Sequence, residues 1–365
     1  MTAPDALTRL IQHQMNRSGG WLGFDRFMAL ALYAPETGYY SGFLRKLGLM
    51  PESGSDFATA PEISPWFGRA LAVAVGEALE RCPSKEIWEF GAGTGALAHQ
   101  MLSALGHQID SYHIIDVSGS LRQRQQDTLQ AHADRVHWHD EWPDGFSGVV
   151  VANELLDAMP VQLLHRRSGV WHERGVVSVS GAASEGCIWD WADQVTDLRP
   201  PIDIEGEHDY LTEIHPQAEA FVRTLAQRMT AGTVFLVDYG FPEREYYHAQ
   251  RHMGTLMCHQ GHRSDPNPLQ SVGAKDITAH VNFTGIALAA QDAGLQVLGY
   301  TSQARFLINC GIVDLLQKAS LPERAMAQKL LTEHEMGELF KVLCLGVGQA
   351  WEPLSFAQGD RTHTL

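Results

Sequence analysis

The sequence predicts an α/β protein whose core is a doubly wound, mostly parallel sheet. Three observations carry this. The stretch Ile87-Trp88-Glu89-Phe90-Gly91-Ala92-Gly93-Thr94-Gly95-Ala96-Leu97 reads as a short buried strand, a glycine-rich turn and the first turn of a helix. Alternate glycines let the chain turn tightly and let a ligand lie on bare main chain; the helix aims free N–H groups and a partial positive charge at it. From Lys85 onward strands alternate with helices, the pattern of a doubly wound sheet. The fourth strand ends in a polar cluster, Asn153-Glu154-Leu155-Leu156-Asp157, at the carboxyl edge where such sheets bind ligands.

The chain has 365 residues, 44% of them hydrophobic, which suits one large domain with additions and a sizeable core. No apolar run reaches the roughly 18 residues of a membrane span. Met1 to Arg17 shows neither a secretory apolar core nor an Arg-rich transit pattern; Leu7, Leu10, Ile11 and Met15 recur at helical spacing instead. The five cysteines form no Cys-x-x-Cys and fit a reducing compartment. A net charge of −16 repels nucleic acid and tolerates a cationic partner.

Before the first strand, Phe27–Leu32 reads as helix, and Asp56–Pro65 as a loop leading into a helix over Trp66–Glu80. Thr59 or Ser64 caps that helix and Pro65 suits its first position. This loop reads first as a plain connection; lying just upstream of the glycine turn, it is also placed to fold over a ligand, with Thr59 and Glu62 as candidate contacts. Strand one is Glu86–Phe90, followed by a helix carrying Leu97, Met101, Leu102 and Leu105 on one side. Strand two is Tyr112–Ile115, closed by Asp116; a polar helix, Leu121–His132, follows. Strand three is Val136–His139 and strand four Gly148–Ala152. Residues 161 to about 215 read as an antiparallel insertion, with pieces at Val161–His165, Val170–Glu173 and Val176–Val179. Helix Pro216–Met229 returns to strand five, Thr233–Asp238. Residues 240–285 read as a long irregular segment rich in His, Pro and Gly. The tail holds helix Phe283–Ala293, strand Gln296–Tyr300, two helices and a last strand, Lys341–Gly348. This divides the chain into an N-terminal helical or lid region, 1–82, and a main domain, 83–365, with insertions at about 161–215 and 240–285.

Gly91-x-Gly93-x-x-Ala96 satisfies a loose dinucleotide fingerprint. Three features point elsewhere. The glycines recur at 91, 93 and 95, tighter than that fingerprint needs. Glu89, two residues before the first glycine, suits a cationic ligand and not a pyrophosphate. Asp116, 21 residues after Gly95, is placed to bind a ribose diol, and Asp140, ending strand three, to receive an adenine amino group. A ribose, an adenine, a cation and no phosphate describe S-adenosylmethionine (SAM). A nicotinamide dehydrogenase is the competing reading, and NADH binding without SAM binding would install it.

In the second constellation, Glu154 and Asp157 share a face if the turn is helical. Methyl transfer needs a nucleophile aligned behind the sulfonium. For a guanidinium nitrogen, paired carboxylates are the natural clamp, with Asn153 beside them. The plainer reading is that Asn153 and Glu154 cap a helix. His248, His252, His259, His262 and Cys258 match no standard metal spacing.

Together the motifs resemble the MidA-like SAM-dependent methyltransferases, which include the mitochondrial complex I assembly-factor arginine methyltransferase. The marks are Leu30–Ser41, Asp56–Pro65, Glu89–Leu97, Asn153–Val161, Val237–Phe241, Gly254-Thr255-Leu256 and Asp276–Phe283, in order along nearly the whole chain. The resemblance implies a class I, Rossmann-like methyltransferase sheet with substrate-covering additions. It implies SAM held by Gly91, Gly93 and Gly95 with Asp116 on the ribose, and Glu154 and Asp157 facing the substrate. It implies a protein arginine as acceptor, symmetric dimethylarginine as product, and a respiratory-complex subunit as a candidate partner. His280 and Asn282 shape the site by resemblance alone. A small-molecule acceptor, or a SAM-binding assembly role, are the alternatives. In a bacterium the expected location is the cytoplasm, in a eukaryote the mitochondrion. Two departures touch the substrate: Leu155-Leu156 where relatives often carry bulkier pairs, and a longer loop at Arg263–Leu269.

Overall fold

The computed structural model describes residues 3–42, 58–116, 119–179, 188–348 and 350–365. Asp56, Phe57, Cys187 and the loop up to Ser55 fall outside the described residues from position 43 on.

The central sheet has seven main strands: β1 Glu86–Phe90, β2 Ser111–Ile115, β3 Val136–His139, β4 Phe146–Asn153, β5 Met229–Phe241, β6 Gln296–Ser302 and β7 Phe340–Val347. They lie in the order β6-β7-β5-β4-β1-β2-β3. Strands β1 to β5 pair in parallel, while β7 runs antiparallel to both β5 and β6. The order reverses between β1 and β4, so the crevice at their carboxyl ends is the switch point where such sheets hold ligands. The strand cores are aliphatic, as burial on both faces demands: Val149, Val150 and Val151 are all 0% exposed. Helices Pro65–Arg81 and Ala96–Leu105 cover one face, helices Pro216–Arg228 and Phe283–Asp292 the other. Ser64 caps the first of these, accepting from the Trp66 N–H, and Pro65 sits at its first turn.

A second, antiparallel sheet joins Trp21–Gly23, Val170–Val179, Gln162–Arg167 and Tyr210–Ile214, with Ile188–Val195 on the far edge of Val170–Val179. The insertion is thus antiparallel, as the β-like pieces indicate. Val170–Glu173 and Val176–Val179 are one strand, and Trp21–Gly23 reaches the sheet from the N-terminal region. Helices Ala3–Arg17 and Phe24–Tyr33 pack on this sheet in one apolar cluster that includes Leu7, Phe27, Val161, Val176 and Ile277.

Residues 240–285 are more regular than expected. Strands Met257–Gln260, Arg263–Asp265 and Asp276–Thr278 form a third small sheet. Its hairpin turns on Gly261 and His262, both at positive φ, the geometry of tight β-hairpin loops. The tail carries three helices where the periodicity indicates two: Gln303–Asn309, Ile312–Leu316 and Leu321–Leu331. Residues before 83 divide between layers: 3–42 belong with the insertion sheet, whereas Pro65–Arg81 packs into the main core. Among the described residues no helix is long and apolar enough to cross a membrane.

Candidate functional site

The cleft opens at the switch point. It takes in about 850 Å³ of space, open solvent at its mouth included. Four parts of the chain meet there: the turn after β1, Asp116 after β2, the turn after β4, and Tyr33, Tyr40, Thr59 and Glu62 from the N-terminal region. Nine of the eleven site residues singled out from sequence line it: Thr59, Glu62, Glu89, Gly91, Gly93, Asp116, Asn153, Glu154 and Asp157; Gly95, the tenth, closes the same turn at the start of helix Ala96–Leu105.

The glycine turn follows from backbone geometry. Gly91, Gly93 and Gly95 have φ of 70°, 54° and 80°, which side-chain-bearing residues rarely adopt. Gly95 caps helix Ala96–Leu105, whose free N–H groups therefore face the cleft. Beneath the turn, Glu89 is 3% exposed and accepts from the Tyr112 hydroxyl at 2.7 Å. Burial raises its pKa to about 7, against the hydrogen bond from Tyr112.

A residue unnoticed in the sequence holds this end together. Gln125, 0% exposed, donates from Nε2 to Asp116 Oδ2 at 2.8 Å and to the Gly93 carbonyl at 3.1 Å. Its Oε1 accepts from Trp138 Nε1 at 3.0 Å. One buried amide thus sets the positions of the ribose candidate and the glycine turn. The only sequence signal was a glutamine on the inner side of an otherwise polar helix.

Asp140 lies apart. It is exposed, its carboxylate is paired with Arg122 at 2.5 Å, and it is absent from the cleft's described lining. Helix Gly119–Thr128 presents Arg122 to it, and the end of β3 carries it to the surface.

At the other end, Glu154 adopts φ 51°, a strained conformation for a side-chain-bearing residue. Its N–H is held by the Val237 carbonyl at 2.9 Å. Its Oε1 accepts from Asn153 Nδ2 at 3.1 Å and from the Ala60 N–H at 3.2 Å. The second bond ties the loop carrying Thr59 and Glu62 to the turn after β4. Asp238, 1% exposed, braces the turn from behind: its Oδ2 accepts from the N–H groups of Leu156 at 2.9 Å and Asp157 at 3.2 Å. Burial and the neighbouring Asp157 raise the Glu154 pKa to about 8. Burial raises that of Asp157 to about 6 and that of Asp238 well above the carboxylate range. No described arginine or lysine forms an ion pair with any of the three. Three buried acceptor atoms, Glu62 Oε2, Asn153 Oδ1 and Asp157 Oδ1, have no hydrogen-bond partner. Buried acceptors left unpaired are costly, so the cleft fits a ligand rich in N–H donors and positive charge. The ammonium and sulfonium of SAM meet that description.

Leu155 lines both this cleft and an adjoining apolar groove with Phe90, Ile115, Trp142 and Phe221. The loop Arg263–Leu269 does not reach the described lining; Lys275 staples it through Asp265 at 2.7 Å. His280 stacks on Phe241, and Asn282 caps helix Phe283–Asp292; both also stand outside that lining. Among the described residues no group of three His, Cys, Asp or Glu could hold a metal ion.

Comparison with known proteins bears on the family of this chain. Residues 70–301 match the family described as "Putative S-adenosyl-L-methionine-dependent methyltransferase". The mitochondrial protein arginine methyltransferase NDUFAF7 of Mus musculus is 28% identical over 385 residues, spanning 93% of this chain and 84% of the relative. The Caenorhabditis elegans homolog is 25% identical over 356 residues, spanning 88% of this chain and 80% of the relative. A crystal structure titled as a "likely methyl transferase from Burkholderia thailandensis bound to S-adenosyl-homocysteine" is 45% identical, covers 100% of this chain and 97% of its own, and superposes with a TM-score of 0.93.

Proposed function

The chain belongs to this family of S-adenosyl-L-methionine-dependent methyltransferases, and we propose that it methylates an arginine guanidinium in a polypeptide. The observation that carries the reading is the acceptor end: Glu154, Asp157 and Asp238 are clustered without a described cation, and Asn153 and Asp157 each leave a buried acceptor unpaired. A guanidinium supplies both the charge and a planar fork of donors.

When bound, SAM supplies a methyl group on a sulfonium, open to in-line attack. The chain's own residues do the rest. The glycine turn and helix N-terminus receive the donor's carboxylate, and Glu62 and Glu89 its ammonium. Asp116, set by Gln125, takes the ribose diol, and the apolar faces of Leu155, Ile115 and Trp142 lie beside it for the base. Glu154 and Asp157 hold the guanidinium and offset its charge, leaving one nitrogen facing the donor. The nitrogen would bond the methyl carbon as the carbon–sulfur bond breaks, its electron pair staying on sulfur, and would lose a proton. Glu154, whose burial raises its pKa to about 8, is a group suited to take it.

The test is incubation with tritiated SAM and a cell extract, followed by hydrolysis. Labelled methylarginine is expected, and the symmetric dimethyl form implied by the resemblance is resolved in the same hydrolysate. Label on a respiratory-complex subunit would identify the partner the resemblance points to. Label confined to small molecules would overturn the arginine reading.

A further inference from the structure

The third wall of the acceptor end is aromatic and comes from the N-terminal region. Helix Phe24–Tyr33 ends at Ala34-Pro35, where proline prevents its continuation. The chain then doubles back. Gly38 N–H bonds the Ala34 carbonyl at 2.7 Å, Tyr39 N–H that of Ala31 at 2.9 Å, and Tyr40 N–H that of Leu32 at 2.8 Å. Only glycine fits at 38, because a Cβ there would lie 2.5 Å from Ala34 N and 2.7 Å from the Leu32 carbonyl oxygen. This turn lays Tyr40 against Tyr33, with ring centroids 5.6 Å apart and planes 17° apart.

Both hydroxyls are anchored. Tyr33 donates to the Ala158 carbonyl at 2.8 Å, and Tyr40 to Asp276 Oδ1 at 2.9 Å. Tyr39, fully buried, meets Tyr40 edge-on. The pair is therefore a fixed wall of the cleft that Glu154 and Asp157 also line, with Tyr33 anchored to the residue next to Asp157. A cation held between two rings needs about 7 Å between them, twice an ordinary carbon contact, so a ligand lies against the pair and not inside it.

We propose that Tyr33 and Tyr40 are specificity-determining residues that stack on the acceptor, and that with Glu154 and Asp157 they select a planar guanidinium over a lysine ammonium. This rests on the arginine reading above and adds the residues that discriminate. Delocalised guanidinium stacks on aromatic rings and sheds water more readily than an ammonium. Asp276 is a positioning residue that acts by fixing the Tyr40 ring.

The experiment uses the full chain, tritiated SAM and two randomised peptide libraries, one with central arginine and one with central lysine. The parent should label the arginine library. Tyr33→Leu and Tyr40→Leu should each raise KM for it by about 10-fold, as loss of a desolvated cation–π contact implies, with kcat changed less. Tyr33→Phe and Tyr40→Phe should raise KM less than the leucine variants, because the ring survives although its hydroxyl anchor is lost. S-adenosyl-homocysteine binding by calorimetry should stay unchanged in all four, which also shows that they fold. Leucine variants with the parent's KM would overturn the proposal, as would an equal loss of S-adenosyl-homocysteine affinity, which would assign the wall to the donor. A parent that labels neither library but labels a small molecule defeats the arginine reading itself.

Discussion

Glu154 and Asp157 face each other's charge with little solvent to relieve it, so their behaviour is set by protonation. Below their pKa values of about 8 and 6 the clamp is neutral and grips a guanidinium poorly. Activity, as kcat/KM, should rise across that interval and level off above it; a flat profile from pH 5.5 to 9 would remove the clamp. Glu154→Gln and Asp157→Asn should each lower kcat/KM by about 10²-fold, the scale of losing a charged contact in a dry site, while S-adenosyl-homocysteine affinity holds. Stability moves the opposite way with pH. The folded-state pKa of Glu154 lies above its ordinary 4.5, so the native chain holds a proton that the unfolded chain releases, and stability falls between about 4.5 and 8. Glu154→Gln should therefore have a higher Tm than its parent at pH 8 and lose that advantage near pH 5. At the donor end, Gly93→Arg should abolish S-adenosyl-homocysteine binding by calorimetry, because φ of 54° disfavours a side chain and the arginine would occupy the cleft. These residues were legible because their chemistry is written in type and spacing. Asp140 was misleading for the same reason: its position matches an adenine ligand, but Arg122, 18 residues back, claims it.

At the scale of elements, helix Gly119–Thr128 shows what spacing does not reveal. It looks like a plain solvent-facing helix, yet its buried Gln125 bridges Gly93, Asp116 and Trp138. Gln125→Leu should weaken S-adenosyl-homocysteine binding about 10-fold, from two hydrogen bonds of ~0.5–1.5 kcal/mol each, and leave acceptor KM unchanged. Equal losses at both ends would make Gln125 a general packing residue instead. The loop before helix Pro65–Arg81 reads from sequence as a plain connection or as a cover for a ligand; its Thr59 and Glu62 line the cleft. Its attachment, the Ala60 N–H on Glu154, joins residues 94 positions apart and had no trace in local pattern.

For the molecule as a whole, the N-terminal residues are a structural half of the site. Helices Ala3–Arg17 and Phe24–Tyr33 share an apolar cluster with Val161, Leu163, Val176 and Ile277 and deliver Tyr33 and Tyr40 to the cleft. A chain beginning at Ala58 would expose that cluster. It should be insoluble, or unfold at least ~10 °C lower; an unchanged Tm in a thermal melt would show the region to be an independent appendage.

By itself the sequence determined the parallel sheet, the glycine turn and the chemical character of both ends of the cleft. Each rests on local physics: short continuous aliphatic runs, backbone that only glycine adopts, and carboxylates at strand ends. Tertiary structure alone decided which carboxylates share the cleft and which, like Asp140, do not. It also decided that Gln125 bridges Gly93, Asp116 and Trp138 and that Tyr33 and Tyr40 line the cleft. Those outcomes depend on contacts between segments far apart in the chain, where burial and orientation, not residue type, choose the partner.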